Sequence, residues 1–245
     1  MMDLAVKFNN IGVELLDGDR NAEASLLFRA SLETMLLMSQ CTEDVPVGNL
    51  LNTNKHIMKA QQFLRGDLNY LKSQQHSSTS FYAESSNFLV FLSRKGMKII
   101  QENVVFHDDD AQENEVLSAI ILYNVALVDH IKHILWPQIN SPIYAVQKRY
   151  EMALDLLGDA VVPAFADLQM ALINNLGLVK YQLGTYDQSK IYFTTLANMV
   201  SEVLNHFDPA VCGNLKVASN EGWSPEEYLL NARTLQLDPQ AASAA

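Results

Sequence analysis

Proline and glycine are scarce, at 7 and 10 of 245 residues. That scarcity removes the turn punctuation of a β-sandwich or barrel and favours long helices. Cysteine is rarer still. Cys41 and Cys212 stand in no CxxC or metal-ligand spacing, so no zinc site is encoded and the expectation is two free thiols in a reducing compartment, with a bridge between them left open. Basic residues number 17 against 28 acidic, a net charge of −11. Nucleic-acid binders neutralise phosphates with a dense Lys/Arg face, and the chain has no such cluster. The same sign opposes an anionic membrane surface and favours a basic or amphipathic partner. No run reaches the roughly 18 apolar residues of a membrane helix. The opening Met-Met-Asp-Leu-Ala-Val-Lys lacks the basic and apolar halves of a secretory signal. The chain is therefore expected to be intracellular and cytoplasmic, with the nucleus or an organelle left open. Gly-rich phosphate loops, GxSxG and HExxH are also missing, so neither an enzyme nor a bound cofactor is expected.

What the chain has is apolar material, 49% of residues against 18% charged, enough for a core and too few charges for disorder. Leu4, Phe8, Ile11 and Leu15 repeat at helical spacing. Asp17-Gly18-Asp19 breaks that period, and Ala24, Phe28, Ser31, Met35 and Met38 resume it. Two helices joined by so short a polar turn form an antiparallel hairpin. Leu168, Leu172, Leu176, Val179 and Leu183 form another stripe, with Pro163 suited to the first turn of its helix. Gly184-Thr185-Tyr186-Asp187 turns, and Ser189, Phe193, Leu196, Val200 and Leu204 return. A third hairpin lies between these two, with helices over about 112–135 and 142–157. Ser224-Pro225-Glu226-Glu227 is a capping box with proline at the first helical position; its helix would cover the last hairpin.

The predicted organisation is one all-α domain over 1–245. It comprises a hairpin over 1–39, an insertion over 40–110, a looser hairpin over 111–158, a third over 159–207 and a capping helix over 224–238. Inside the insertion, Ile57, Leu64, Leu68 and Leu71 suggest a helix. The stretch 74–80 reads as a loop. Phe88–Leu92 and Met97–Ile100, apolar runs flanking Ser93-Arg94-Lys95-Gly96, fit a short β-hairpin, with a buried helix as the alternative.

The first and last hairpins share a register. Gly12 is followed by Ala24 and Phe28, and Gly177 by Ser189 and Phe193, at the same intervals of 12 and 16 residues. A small residue lets two helices cross closely, and the aromatic fills the remaining space. With Gly184 and Tyr186 in the turn, this pattern resembles the tetratricopeptide repeat. Asn124-Val125-Ala126, Tyr150 and Ala153 follow it loosely in the middle hairpin. No proline closes the second helix of either clear repeat, and Leu196 stands where a small residue is usual. The resemblance covers roughly half the chain. It implies a right-handed superhelix whose concave face, lined by the first helix of each pair, holds a peptide or partner helix. Val13, Leu127 and Leu178 stand where chaperone-binding members place an asparagine, which argues against a carboxylate clamp. Asn9-Asn10 and Asn174-Asn175, with Tyr123-Asn124 as a partial match, are similar to the paired asparagines of kinesin-light-chain-type repeats.

An amide carries donors and an acceptor, so a ladder of asparagines can bind an extended backbone; the same amides could instead brace neighbouring helices. The expected groove residues are Asn9, Asn10, Asn124, Asn174 and Asn175, with His130 and Tyr181 on the later helices. His107-Asp108-Asp109-Asp110 reads as a helix start, since consecutive residues rarely converge on one ion. Asp129, His130 and His133 make an incomplete metal site. Trp136 and Trp223 are expected to pack. The expectation is a non-catalytic adaptor for another protein or peptide. A self-associating structural subunit is the alternative, and a metal-dependent enzyme using the 107–133 His/Asp residues is a more distant one.

Overall fold

A computed structural model describes residues 2–40, 92–99, 110–136, 143–158, 165–206 and 225–237. The expected helix over Ile57–Leu71, the loop at 74–80, both cysteines, Pro163, Trp223 and His107–Asp109 lie outside them. Seven helices are described: α1 Met2–Asp17, α2 Asn21–Gln40, α3 Asp110–Leu135, α4 Ile143–Leu157, α5 Ala166–Gln182, α6 Tyr186–His206 and α7 Pro225–Leu237. The periodic stripes therefore mark helices, and Pro225 occupies the first helical position, where its missing N–H leaves no bond unmade.

The two short connections are the same turn. In the first, Arg20 N donates to Leu15 O at 2.8 Å and Asp19 N to Leu16 O at 3.0 Å. In the other, Thr185 N donates to Lys180 O at 2.9 Å and Gly184 N to Tyr181 O at 2.9 Å. Both are Schellman closures, which use the otherwise orphaned carbonyls of the helix end and need one left-handed residue. Gly184 fills that place with φ 72°, and Asp19 fills it with φ 58°. The left-handed residue of the first turn is thus the aspartate, not the neighbouring Gly18.

Within the first and last hairpins the helices approach at glycine. A Cβ on Gly12 would sit 2.6 Å from Phe28 Cε1, and one on Gly177 2.9 Å from Phe193 Cζ. Ser189 Oγ donates to Gly177 O at 2.8 Å, so the small polar residue closes the crossing that the glycine opens. The helices pack in sequence, α1 on α2, α3 on α4 and α5 on α6. The pairs join through α2–α3 and α4–α5, and α7 lies against α6. One contiguous core runs through all of them, with Phe8, Phe28, Tyr123, Tyr150 and Phe193 fully buried.

Two expectations change. The stretch Asn114–Leu135 is long and apolar enough to cross a membrane by length and composition, but 83% of that window is buried inside the fold. An unbroken apolar count passes over it because Asn124, Asp129 and His130 interrupt it; all three are buried and hydrogen-bonded. Second, no strand occurs among the described residues. Leu92 lies at a bend, residues 88–91 of the first run of the expected β-hairpin lie outside the described residues, and residues 93–99 belong to no helix, turn or strand. Their backbone partners are side chains, for the reason given next.

Candidate functional site

Residues 93–99 lie across α1, α3 and α5, held by one asparagine from each. Asn175 Oδ1 accepts from Ser93 N at 2.9 Å, and its Nδ2 donates to Ser93 O at 3.1 Å. Asn124 Oδ1 accepts from Met97 N at 2.8 Å, and its Nδ2 donates to Met97 O at 2.9 Å. Asn10 does the same to Ile99, with both bonds at 2.8 Å. Each amide closes both polar backbone groups of one residue. A reversed amide would set oxygen against carbonyl and NH2 against N–H, so the bonding itself fixes the orientation.

In an extended chain the N–H and C=O of one residue point to the same side, and the next residue points the opposite way. The three clamped residues are all odd-numbered, so one edge of the segment faces the ladder. Lys95, the remaining odd position, offers its carbonyl to Tyr123 Oη at 3.0 Å; the same hydroxyl lies 3.2 Å from Ser93 O, so the two acceptors share one proton. Tyr123 stands where the other first helices carry Asn9 and Asn174. The partial match in the middle hairpin is a change of donor at the same place. An extended chain advances about 3.3 Å per residue. The six steps from Ser93 to Ile99 therefore reach about 20 Å, two helix spacings of 8–10 Å.

The remaining expected residues divide. Asn9 Nδ2 donates to Met97 O at 2.9 Å, while its Oδ1 accepts from Asn124 Nδ2 at 2.8 Å. It thus touches the segment and fixes its neighbour. Asn174 turns the other way: its Nδ2 donates to Asn175 Oδ1 at 3.1 Å and its Oδ1 accepts from Asn231 of α7 at 3.0 Å. That asparagine ties the last helix to the array. His130 is buried behind the ladder, 3.0 Å from Gln182 Oε1 and edge-on to Tyr150. Burial pushes it down to about 4 against the opposing Gln182 bond, so it is neutral near pH 7. Tyr181 packs edge-on against Tyr186.

Sequence reasoning missed Tyr123 and Tyr228 as contacts of the segment. Tyr228 Oη is 3.1 Å from Ser93 Oγ, and Tyr150 Oη accepts from Asn175 Nδ2 at 3.3 Å. Burial raises the Tyr123, Tyr150 and Tyr228 phenols, which keeps them protonated. The register could have found Tyr123; nothing in the sequence placed Tyr228 beside Ser93, 135 residues away.

The expected half-site at Asp129 is an ion cluster. Its two oxygens take Arg29 at 3.3 Å and Arg149 at 3.0 Å, joining α2, α3 and α4. Among the described residues no group of three His, Cys, Asp or Glu could hold a metal ion. Trp136 is half-buried. Comparison with family models, curated proteins and solved structures finds no match to this chain.

Proposed function

We propose that this chain is a non-catalytic interaction module of tetratricopeptide-like build, an adaptor that holds an extended segment of a partner protein on the face of α1, α3 and α5. Support for the repeat reading comes from the glycine–aromatic crossings at Gly12 and Gly177 and from the shared turn. One observation carries the binding reading: Asn10, Asn124 and Asn175 each satisfy both backbone groups of one residue in an extended chain. Bracing between helices would need no such pairing. An amide that meets N–H and C=O together does what the backbone of a neighbouring strand does, and it does so whatever side chain the clamped residue carries. Main-chain bonds of this kind supply affinity, and flanking pockets supply selectivity.

The test uses the full chain carrying Ser93→Pro, Met97→Pro and Ile99→Pro, which removes the three backbone N–H groups that the asparagines accept and so clears the ladder. A random peptide library is panned against it and against the same chain carrying Asn10→Ala, Asn124→Ala and Asn175→Ala. Enriched peptides should bind the first and lose at least tenfold on the second, since a buried hydrogen bond contributes about 1 kcal/mol net. A library that enriches nothing, or peptides indifferent to the three asparagines, overturns the reading.

A further inference from the structure

The segment that occupies the ladder carries a description of what else would fit there. Its main chain is read at Ser93, Met97 and Ile99, and the side chains at other positions impose the choice. At Gly96 the limit is space. A Cβ there would meet Val13 Cγ2 at 3.0 Å, Val13 Cγ1 at 3.2 Å and Leu16 Cδ2 at 3.4 Å. Gly96 is buried and has no left-handed φ, so the position asks for absence of bulk and not for unusual backbone. A methyl would press on Val13, and a larger side chain would not fit without moving α1.

At two other positions, Lys95 and Lys98, the limit is charge. Arg94, Lys95 and Lys98 put three cations into five residues of a chain whose net charge is −11. Lys98 Nζ pairs with Glu14 Oε1 of α1 at 3.2 Å. Lys95 acts on Asp167 of α5, countering the burial that raises that carboxyl. Arg94 and Lys98 are exposed. Two further positions add contact: Ile99 is buried, and the Ser93 hydroxyl meets Tyr228. A tethered segment competes at an effective concentration that reaches the millimolar range. A free peptide therefore has to match these features before it can displace it.

We propose that the groove selects an extended basic segment of another protein, with glycine preceding an apolar residue and a second apolar residue three positions after the glycine, and that residues 93–99 are an internal copy of that ligand. This inference rests on the peptide-binding reading above and goes further by naming the peptide and its competitor.

The probe is a fluorescent peptide with the sequence of residues 92–100, titrated by polarisation into the full chain. Two variants displace the internal copy in different ways. Gly96→Leu overfills the slot beside Val13, and Met97→Pro removes the N–H that Asn124 accepts. Each should bind the probe at least about tenfold more tightly than the unmodified chain, because apparent affinity scales with the open fraction. A probe with leucine in place of its glycine should lose at least about tenfold on the opened chains, and one with glutamine at its three basic positions about threefold, since exposed ion pairs contribute up to about 1 kcal/mol. Equal binding of all three probes would leave a groove that reads any extended backbone; the inference would fail and the peptide-binding function would stand. Binding of none to chains that keep their helical circular dichroism would overturn both. Equal affinity for opened and unmodified chains, loss of helicity in both variants, or a dimeric unmodified chain exchanging segments between copies would each overturn the internal-copy assignment.

Discussion

Truncating Asn124 to alanine should release residues 93–99 while the helices stay folded. Three bonds leave with the amide: one from Met97 N at 2.8 Å, one to Met97 O at 2.9 Å and one to Asn9 Oδ1 at 2.8 Å. Met97 O keeps Asn9 Nδ2 at 2.9 Å, so the groups newly without a partner are the Met97 N–H and the Asn9 oxygen. A buried polar group stripped of its partner costs about 1–3 kcal/mol, which puts the loss near 3 kcal/mol. The chain can avoid a larger penalty by letting the segment go, so the cost of opening sets the ceiling. A change of about 3 kcal/mol multiplies the open population roughly a hundredfold. Trypsin reads that population directly when reclosing outpaces cleavage, and Arg94, Lys95 and Lys98 place its sites inside the segment. Lys132, Arg149 and Lys180 lie in helices and report unfolding of the array. Cleavage at 94, 95 and 98 should therefore rise by roughly two orders of magnitude while the helical sites change far less. An acceleration below about threefold, less than 1 kcal/mol, would refute the clamp. Segment and helix sites accelerating in step would refute the idea that the segment is separable.

Two further predictions concern the scaffold. Gly177→Ala puts a Cβ 2.9–3.1 Å from three atoms of the buried Phe193 ring. Overpacking costs about 1–3 kcal/mol, and alanine in a helix returns up to about 1 kcal/mol, so a net loss of ~1–2 kcal/mol should lower the urea midpoint; a stabilised variant would show that the crossing is not tight. His130 should make the fold acid-sensitive. Its folded value of about 4 lies below the ordinary 6.5, so the unfolded chain takes the proton first. The stability held above pH 6.5 is lost as pH falls toward 4, by about 3 kcal/mol in all. His130→Gln should lose less stability than the unmodified chain between pH 7 and 4.5 in urea titrations, and identical slopes would exclude the histidine as the cause.

The helices were legible because each carries an apolar stripe at helical period, and the close crossings because Gly12/Phe28 and Gly177/Phe193 repeat one interval. The ladder was legible as a set of recurring asparagines at one register position. Its occupant was not. Ser93-Arg94-Lys95-Gly96 between apolar runs looks like a hairpin turn, since strand propensity and turn residues are local signals. Whether an extended stretch finds a strand or a row of amides depends on helices whose asparagines lie 27 to 89 residues away in sequence. Asn174 and Asn175 expose the same limit: adjacent and alike in the sequence, they differ by about 100° around α5, so one faces α7 and the other the segment.

An all-helical scaffold that binds extended chain avoids a hazard of sheets. A strand edge offers its own backbone to any passing strand and must be covered or charged. Here the equivalents of that edge are three side-chain amides on separate helices, whose own backbones are already satisfied internally. The amides match an extended chain only at residues of one parity, two or four apart, which fixes register without a continuous ladder. Between those points nothing in the clamp reads sequence, so under the proposed binding function discrimination would come from space at Gly96 and from the acidic groups near Lys98 and Lys95. Such a surface would hold many extended peptides weakly unless something occupied it first. A tethered segment that meets every one of those conditions raises the threshold for all of them at once, and the weakest fits lose most.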